Sequence, residues 1–116
     1  MSYREQFIWK RGIQLSVHCY QLTENFPKSE LYGLTNQIRR ASVSVPANIA
    51  EGYGRKTKNE YIQFLHIALG SLRELDTLLI IAQEVKLAQG EEFTGVLAEV
   101  ESLQGILVST LNKLKS

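Results

Sequence analysis

Arg39 and Arg40, followed after a run of small and apolar residues by Arg55, Lys56 and Lys58, are the side chains whose type and spacing suit a chemical task. That task is holding the phosphates of a polyanion, for which guanidinium and ammonium groups supply charge and hydrogen-bond donors. Arg55-Lys56-Thr57 follows Gly52-Tyr53-Gly54, so backbone amides at the start of a helix can join these cations around a phosphate. The stretch is not a P-loop, because the Walker pattern needs four residues between its first glycine and the Gly-Lys-Ser/Thr end. A plainer reading stands beside it: a solvated basic turn in which Arg55 pairs with Glu51. For Arg39 and Arg40, about 100° apart on a helix, a structural ion pair with Glu51, Glu60 or Glu74 is the equivalent alternative.

Other chemistry is poorly supplied. His18, His66 and Cys19 show no His-x-x-x-His or Cys-x-x-Cys spacing, and the Glu-x-x-His pairs of di-iron bundles are absent, so no metal site is expected. No Gly-x-Ser-x-Gly elbow occurs and no nucleophile has a base placed beside it. A non-enzymatic protein without a cofactor is the expectation. Cys19 reads as a small buried hydrophobe, and a lone cysteine forms no intrachain disulfide, which fits a reducing compartment.

The chain has 116 residues, the size of one domain spanning residues 1–116, with thirteen basic and twelve acidic side chains and a net charge of +1. The charges are segregated along it. Residues 28–58 are predominantly basic, whereas residues 84–101 carry Glu84, Glu91, Glu92, Glu99 and Glu101 against Lys86 alone. The longest apolar run, residues 78–82, is far short of the roughly 20 residues a membrane span needs. A soluble, cytoplasmic protein is expected, with no membrane partner.

The elements that must position the cations are helices. Ile8, Gly12, Leu15, Cys19 and Leu22 recur at helical spacing, predicting a first helix over about residues 5–24 that Asn25-Phe26-Pro27 stops. Ser29 is the expected N-cap of a second helix, whose stripe Leu31, Leu34, Ile38, Ala41, Val45, Ile49 and Gly52 runs through Pro46 without a change of phase. That continuity predicts one kinked helix, with the Ser42 or Ser44 hydroxyl compensating the lost backbone bond. Gly52-Tyr53-Gly54 is expected to end it through a left-handed glycine. Thr57-Lys58-Asn59-Glu60 matches a capping box opening a third helix over about residues 58–87, where Gly70-Ser71 suggests close helix approach. After a turn at Gln89-Gly90, Phe93, Val96, Leu97, Val100, Leu103, Leu107, Leu111 and Leu114 make the fourth. The predicted fold is all-α, a single antiparallel up-down-up-down four-helix bundle.

Helix two also carries a second, semi-apolar stripe: Tyr32, Arg39, Val43, Ala47 and Ala50. One apolar face suffices for a monomeric bundle, so this stripe serves either a wide intramolecular contact or a subunit interface.

Four segments carry a resemblance: Phe26-Pro27-Lys28-Ser29-Glu30, Leu34-Thr35-Asn36-Gln37-Ile38-Arg39-Arg40, Ser44-Val45-Pro46-Ala47-Asn48-Ile49-Ala50-Glu51-Gly52, and residues 64–75. Through them the chain resembles the bacterial four-helix-bundle protein family, known also as intervening-sequence proteins of 23S ribosomal RNA genes. The resemblance implies a ring-like homo-oligomer, a pentamer, and no established enzymatic activity. Distant relatives are more strongly basic accessory proteins of diversity-generating retroelements, which bind nucleic acid and reverse transcriptase.

The function expected is that of a homo-oligomeric binding or scaffold protein. Its expected partners are itself, through Tyr32, Arg39, Val43, Ala47 and Ala50, and structured RNA or an RNA-associated protein, through Arg40, Arg55, Lys56 and Lys58. The alternative is a protein-interaction scaffold without a nucleic-acid role, its basic and acidic segments pairing between subunits.

Overall fold

The computed structural model describes residues 2–116. The Ser2 hydroxyl accepts from the Arg4 amide at 3.2 Å, and a 3-10 turn at Tyr3–Glu5 leads into α1, Phe7–Thr23. Ile8, Leu15, Cys19 and Leu22 are buried on one side of it, as their spacing requires. Phe26 follows in the connection and plugs the end of the bundle, its ring centroid 6.2 Å from that of Phe93.

The second helix, α2, spans Leu34–Tyr53 and does not begin at Ser29. Residues Lys28–Glu30 form a 3-10 turn instead, and the Glu30 carboxylate accepts from the Leu34 amide at 3.2 Å, doing from a distance what an N-cap hydroxyl would do locally. Leu31 and Tyr32 therefore lie outside the helix, about half and almost fully exposed, rather than on its apolar and semi-apolar stripes.

Pro46 sits inside α2, which remains one helix through it. An interior proline leaves the carbonyl four residues earlier without its donor, a change that costs about 3 kcal/mol in an otherwise intact helix. Neither hydroxyl of α2 compensates: Ser42 donates to the Arg39 carbonyl and Ser44 pairs with Ser71 of the next helix. The donor comes from α1. Ser16 Oγ lies 2.8 Å from the Ser42 carbonyl oxygen, and its alternative acceptor, the Gly12 carbonyl, is at 3.1 Å. Gly12 lies against the proline itself, for a Cβ there would sit 3.1 Å from Pro46 Cβ.

Helix α3, Lys58–Glu84, opens on the predicted Thr57 cap, whose hydroxyl accepts from the Glu60 amide at 3.1 Å. The Glu60 carboxylate accepts from that same hydroxyl rather than reaching the Thr57 amide. Two glycine expectations change. No described glycine has positive φ, and Gly52 belongs to the body of α2, where a Cβ would come within 2.7 Å of Phe64 Cβ, so its role is close approach to α3. Gly70, expected at such an approach, faces open space. The left-handed position falls on Lys86, at φ 62°, with Lys86 and Leu87 amides bonded to the Gln83 and Ala82 carbonyls. That pattern is a Schellman motif with lysine where glycine is usual.

Helix α4, Gly90–Lys115, starts where the Glu92 carboxylate accepts from the Gln89 amide at 3.0 Å. Each helix packs against its sequence neighbours and α1 against α4, so the four form a square around one core. Leu65, Leu72, Leu75 and Leu79 of α3 and Phe93, Val96, Val100 and Leu107 of α4 are fully enclosed. Alternating helix direction gives an up-down-up-down bundle 43 Å long and about 20 Å across.

Candidate functional site

Up-down topology collects the start of α1, the α2–α3 turn and the end of α4 at one end of the bundle. Arg55, Lys56 and Lys58 are exposed there, and Lys113 and Lys115 join them from the last turn of α4. Lys115 Nζ reaches 2.8 Å from His66 Nε2 on α3. The sequence reading missed the two α4 lysines, although antiparallel pairing of the last two helices already implies their position. The opposite end carries Glu24, Glu30, Glu84, Glu91 and Glu92 against Lys28 and Lys86. Glu5, Glu51 and Glu60 share the basic end with these cations, which outnumber them, so each end has a net sign of its own.

Arg55 is locally engaged, as the plainer reading of the turn expects: Nη2 lies 3.2 Å from Glu51 Oε1 and the guanidinium is 4.8 Å from the Phe64 ring centroid. Lys56 and Lys58 have no ion-pair partner among the described residues. Beside them is a cleft of about 320 Å³ lined by Gln6, Tyr53, Arg55, Lys56, Lys58 and Tyr61. Gln6 Nε2 donates to Tyr61 Oη at 3.0 Å, while Gln6 Oε1 is buried with no donor among the described residues. Arg40 is not part of this group. It is exposed on α2 about 20 Å from the turn by helical rise.

The second candidate surface is the outer side of α1 and α2. Ile13, Val17 and Tyr20 of α1 and Val43 of α2 are 38–51% exposed there, with Ala47 and Ala50 further along α2. Arg39, assigned to this stripe, is half-buried at its border: Nε donates to Thr23 Oγ1 at 2.8 Å and the guanidinium stacks 4.6 Å from the Tyr20 ring centroid. It ties α2 to α1, in place of the carboxylate partners considered for it. Tyr32, in the preceding turn, stands apart from the other four stripe residues. The opposite side of the square holds an α3–α4 groove of about 480 Å³, lined by Ile80, Leu97 and Ala98 between Asp76 and Glu101.

The α1–α4 seam is polar. His18 Nδ1 pairs with Glu99 Oε1, and Arg11 donates to Ser102 Oγ at 3.1 Å. Cys19, next to this seam, is fully buried, and its thiol is pushed up to about 12 by burial first and the Glu99 charge second, against a lowering hydrogen bond with Ser42. Among the described residues no group of His, Cys, Asp or Glu is arranged to hold a metal, and no helix is long and apolar enough to cross a membrane.

Helix order and square packing define an all-α four-helix bundle with a basic end opposite an acidic one. The chain matches the family described as 23S rRNA-intervening sequence protein over residues 4–109, and it belongs to that family. A similar fold is seen in the crystal structure of a protein with unknown function from the S23 ribosomal protein family of Bacteroides thetaiotaomicron VPI-5482. The two share 20% identity and a TM-score of 0.81 over 90% of this chain and 97% of that one. No curated protein matches the chain.

Proposed function

We propose that the protein is a non-enzymatic, self-associating scaffold that holds structured RNA electrostatically at its basic end. The observation that carries this reading is the segregation of charge and apolar surface: unpaired lysines at one end, and unpartnered aliphatic side chains along the α1–α2 side. The family description, which names 23S rRNA, supports RNA as the polyanion.

A second copy of the chain is the proposed occupant of the α1–α2 side. Its α3–α4 groove offers an apolar floor between Asp76 and Glu101, complementary to Val43 and Ala47 beside Arg40. Because the two surfaces are on opposite sides of the square, the contact is head-to-tail and closes into a ring when the rotation per copy permits. Five copies is the number the family resemblance implies. Val43, Ala47 and Ala50 lie inside this contact, Arg39 and Arg40 at its rim, and Tyr32 beyond the helix end. Light scattering tests it: the wild type runs as an oligomer, and Val43→Glu runs as a folded monomer. A wild-type monomer at tens of micromolar overturns the assembly.

For RNA, fluorescence anisotropy with a labelled hairpin is expected to give affinity that falls steeply between 50 and 200 mM salt, as counterion release requires. Replacing Lys56 and Lys58 by alanine flattens that dependence. The charge complementarity of exposed Arg40 to Asp76 and Glu101, the carboxylates that border the α3–α4 groove, favours a second reading, a protein scaffold with no nucleic-acid role. A persistent oligomer that binds no hairpin at 50 mM salt decides for it.

A further inference from the structure

We propose that the cleft between the start of α1 and the α2–α3 turn takes a single unpaired nucleotide of the bound RNA. Its base lies against Tyr61 and Tyr53, and its flanking phosphates lie on Lys56 and Lys58. This inference rests on the RNA reading above and adds to it the form of RNA that is recognised.

Size is the first argument. At about 320 Å³ the cleft lies at the small end of the range for small-molecule sites, the scale of a single nucleotide. Its lining is the second. Two phenol rings and three cations border one cavity, the combination by which proteins hold single strands: aromatic faces for the bases, positive charge for the backbone. In a paired A-form helix the base faces are stacked away, so only a loop, bulge or end can supply a base to such a cavity.

The cations divide the work. Arg55, which pairs with Glu51 and lies over the Phe64 ring, forms part of the wall. Lys56 and Lys58, without ion-pair partners, are free to follow the phosphates on either side. Gln6 holds one of the two rings. Its Nε2 donates to Tyr61 Oη at 3.0 Å, which ties that ring to the start of α1 at the wall of the cleft. Arg40, about 20 Å along α2 by helical rise, is too distant to touch the same nucleotide.

The test compares an unstructured single-stranded RNA with a blunt duplex of equal length by fluorescence anisotropy. Single strand is expected to bind at least tenfold tighter to the wild type. Tyr61→Leu is expected to lose about tenfold for single strand, the scale of one base–aromatic stack, and to leave duplex binding unchanged. Tyr61 also packs against the core, so its variant is first matched to wild type by thermal melting. A second arm uses the unaltered protein: 4-thiouridine in the single strand is expected to crosslink within residues 53–61. Equal binding of the two RNAs, or crosslinks only outside that segment, overturns the cleft and leaves the RNA reading standing. Binding of neither RNA at 50 mM salt overturns the RNA reading itself and this inference with it.

Discussion

The hydroxyl of Ser16 on α1 lies 2.8 Å from the Ser42 carbonyl oxygen on α2, the carbonyl that Pro46 deprives of its helical donor. Both residues are buried, so water is no substitute. Ser16→Ala is expected to cost about 1–3 kcal/mol, the range for a buried acceptor left unmade. Pro46→Ala restores the amide at position 46, so Ser16→Ala is expected to cost much less in that background. Urea denaturation of the four proteins in the cycle measures the coupling, and additive costs would sink the assignment.

Three glycines separate by what surrounds them. Gly12→Ala and Gly52→Ala place a Cβ 3.1 Å from Pro46 Cβ and 2.7 Å from Phe64 Cβ, forcing apart helices that now touch. Each is expected to destabilise by about 1–3 kcal/mol, the cost of overpacking. Gly70→Ala meets nothing within 4 Å and is expected to stabilise by about 1 kcal/mol through helix propensity. Thermal melts should order the variants Gly70→Ala, wild type, then the other two.

Lys86 holds a left-handed conformation that costs an L-residue with a Cβ about 1–2 kcal/mol. Lys86→Gly removes that cost and keeps both backbone bonds of the motif. A gain of about 1 kcal/mol is expected from chemical denaturation, and a loss would mean that the lysine side chain contributes more than its backbone costs.

Cys19 makes stability depend on pH at the alkaline side. The thiol is held protonated in the fold, up to about 12, against an ordinary value of 9.0, and the thiolate is the form that burial penalises. The folded-state value is the raised one, so its contribution is complete below about pH 9 and is lost progressively as pH rises toward 12. Wild type is expected to lose about 1 kcal/mol more than Cys19→Ala between pH 8 and pH 10. Parallel loss in the two proteins would place the effect elsewhere. Native Cys19 is also expected to react with a thiol reagent only as fast as the protein opens.

Helical phase was legible in the sequence because burial follows it closely. Ile38, Val45 and Ile49 fall on one face through Pro46, and all three are fully buried. Contacts between helices were less so. The donor to Ser42 lies 26 residues away on another helix, and nothing local announces it. Gly70 and Gly12 look alike in sequence, since a glycine signals freedom of approach but not the presence of a neighbour. Lys86 carries no sequence sign of its left-handed conformation, because lysine is not the residue that conformation favours. At the candidate site the cations of the α2–α3 turn were visible as a run. Gln6 joins them only through the fold, and Lys113 and Lys115 join them only when the fourth helix is laid antiparallel to the third.

The net charge of +1 describes no region that a partner meets. The bundle is 43 Å long, while the field of an exposed charge decays within about 8 Å at physiological salt. A polyanion approaching the lysine-bearing end is thus screened from the carboxylates at the far end and encounters, over its last few ångströms of diffusion, a cation. The molecule has a front and a back, and its encounters are expected to be oriented before any contact is made.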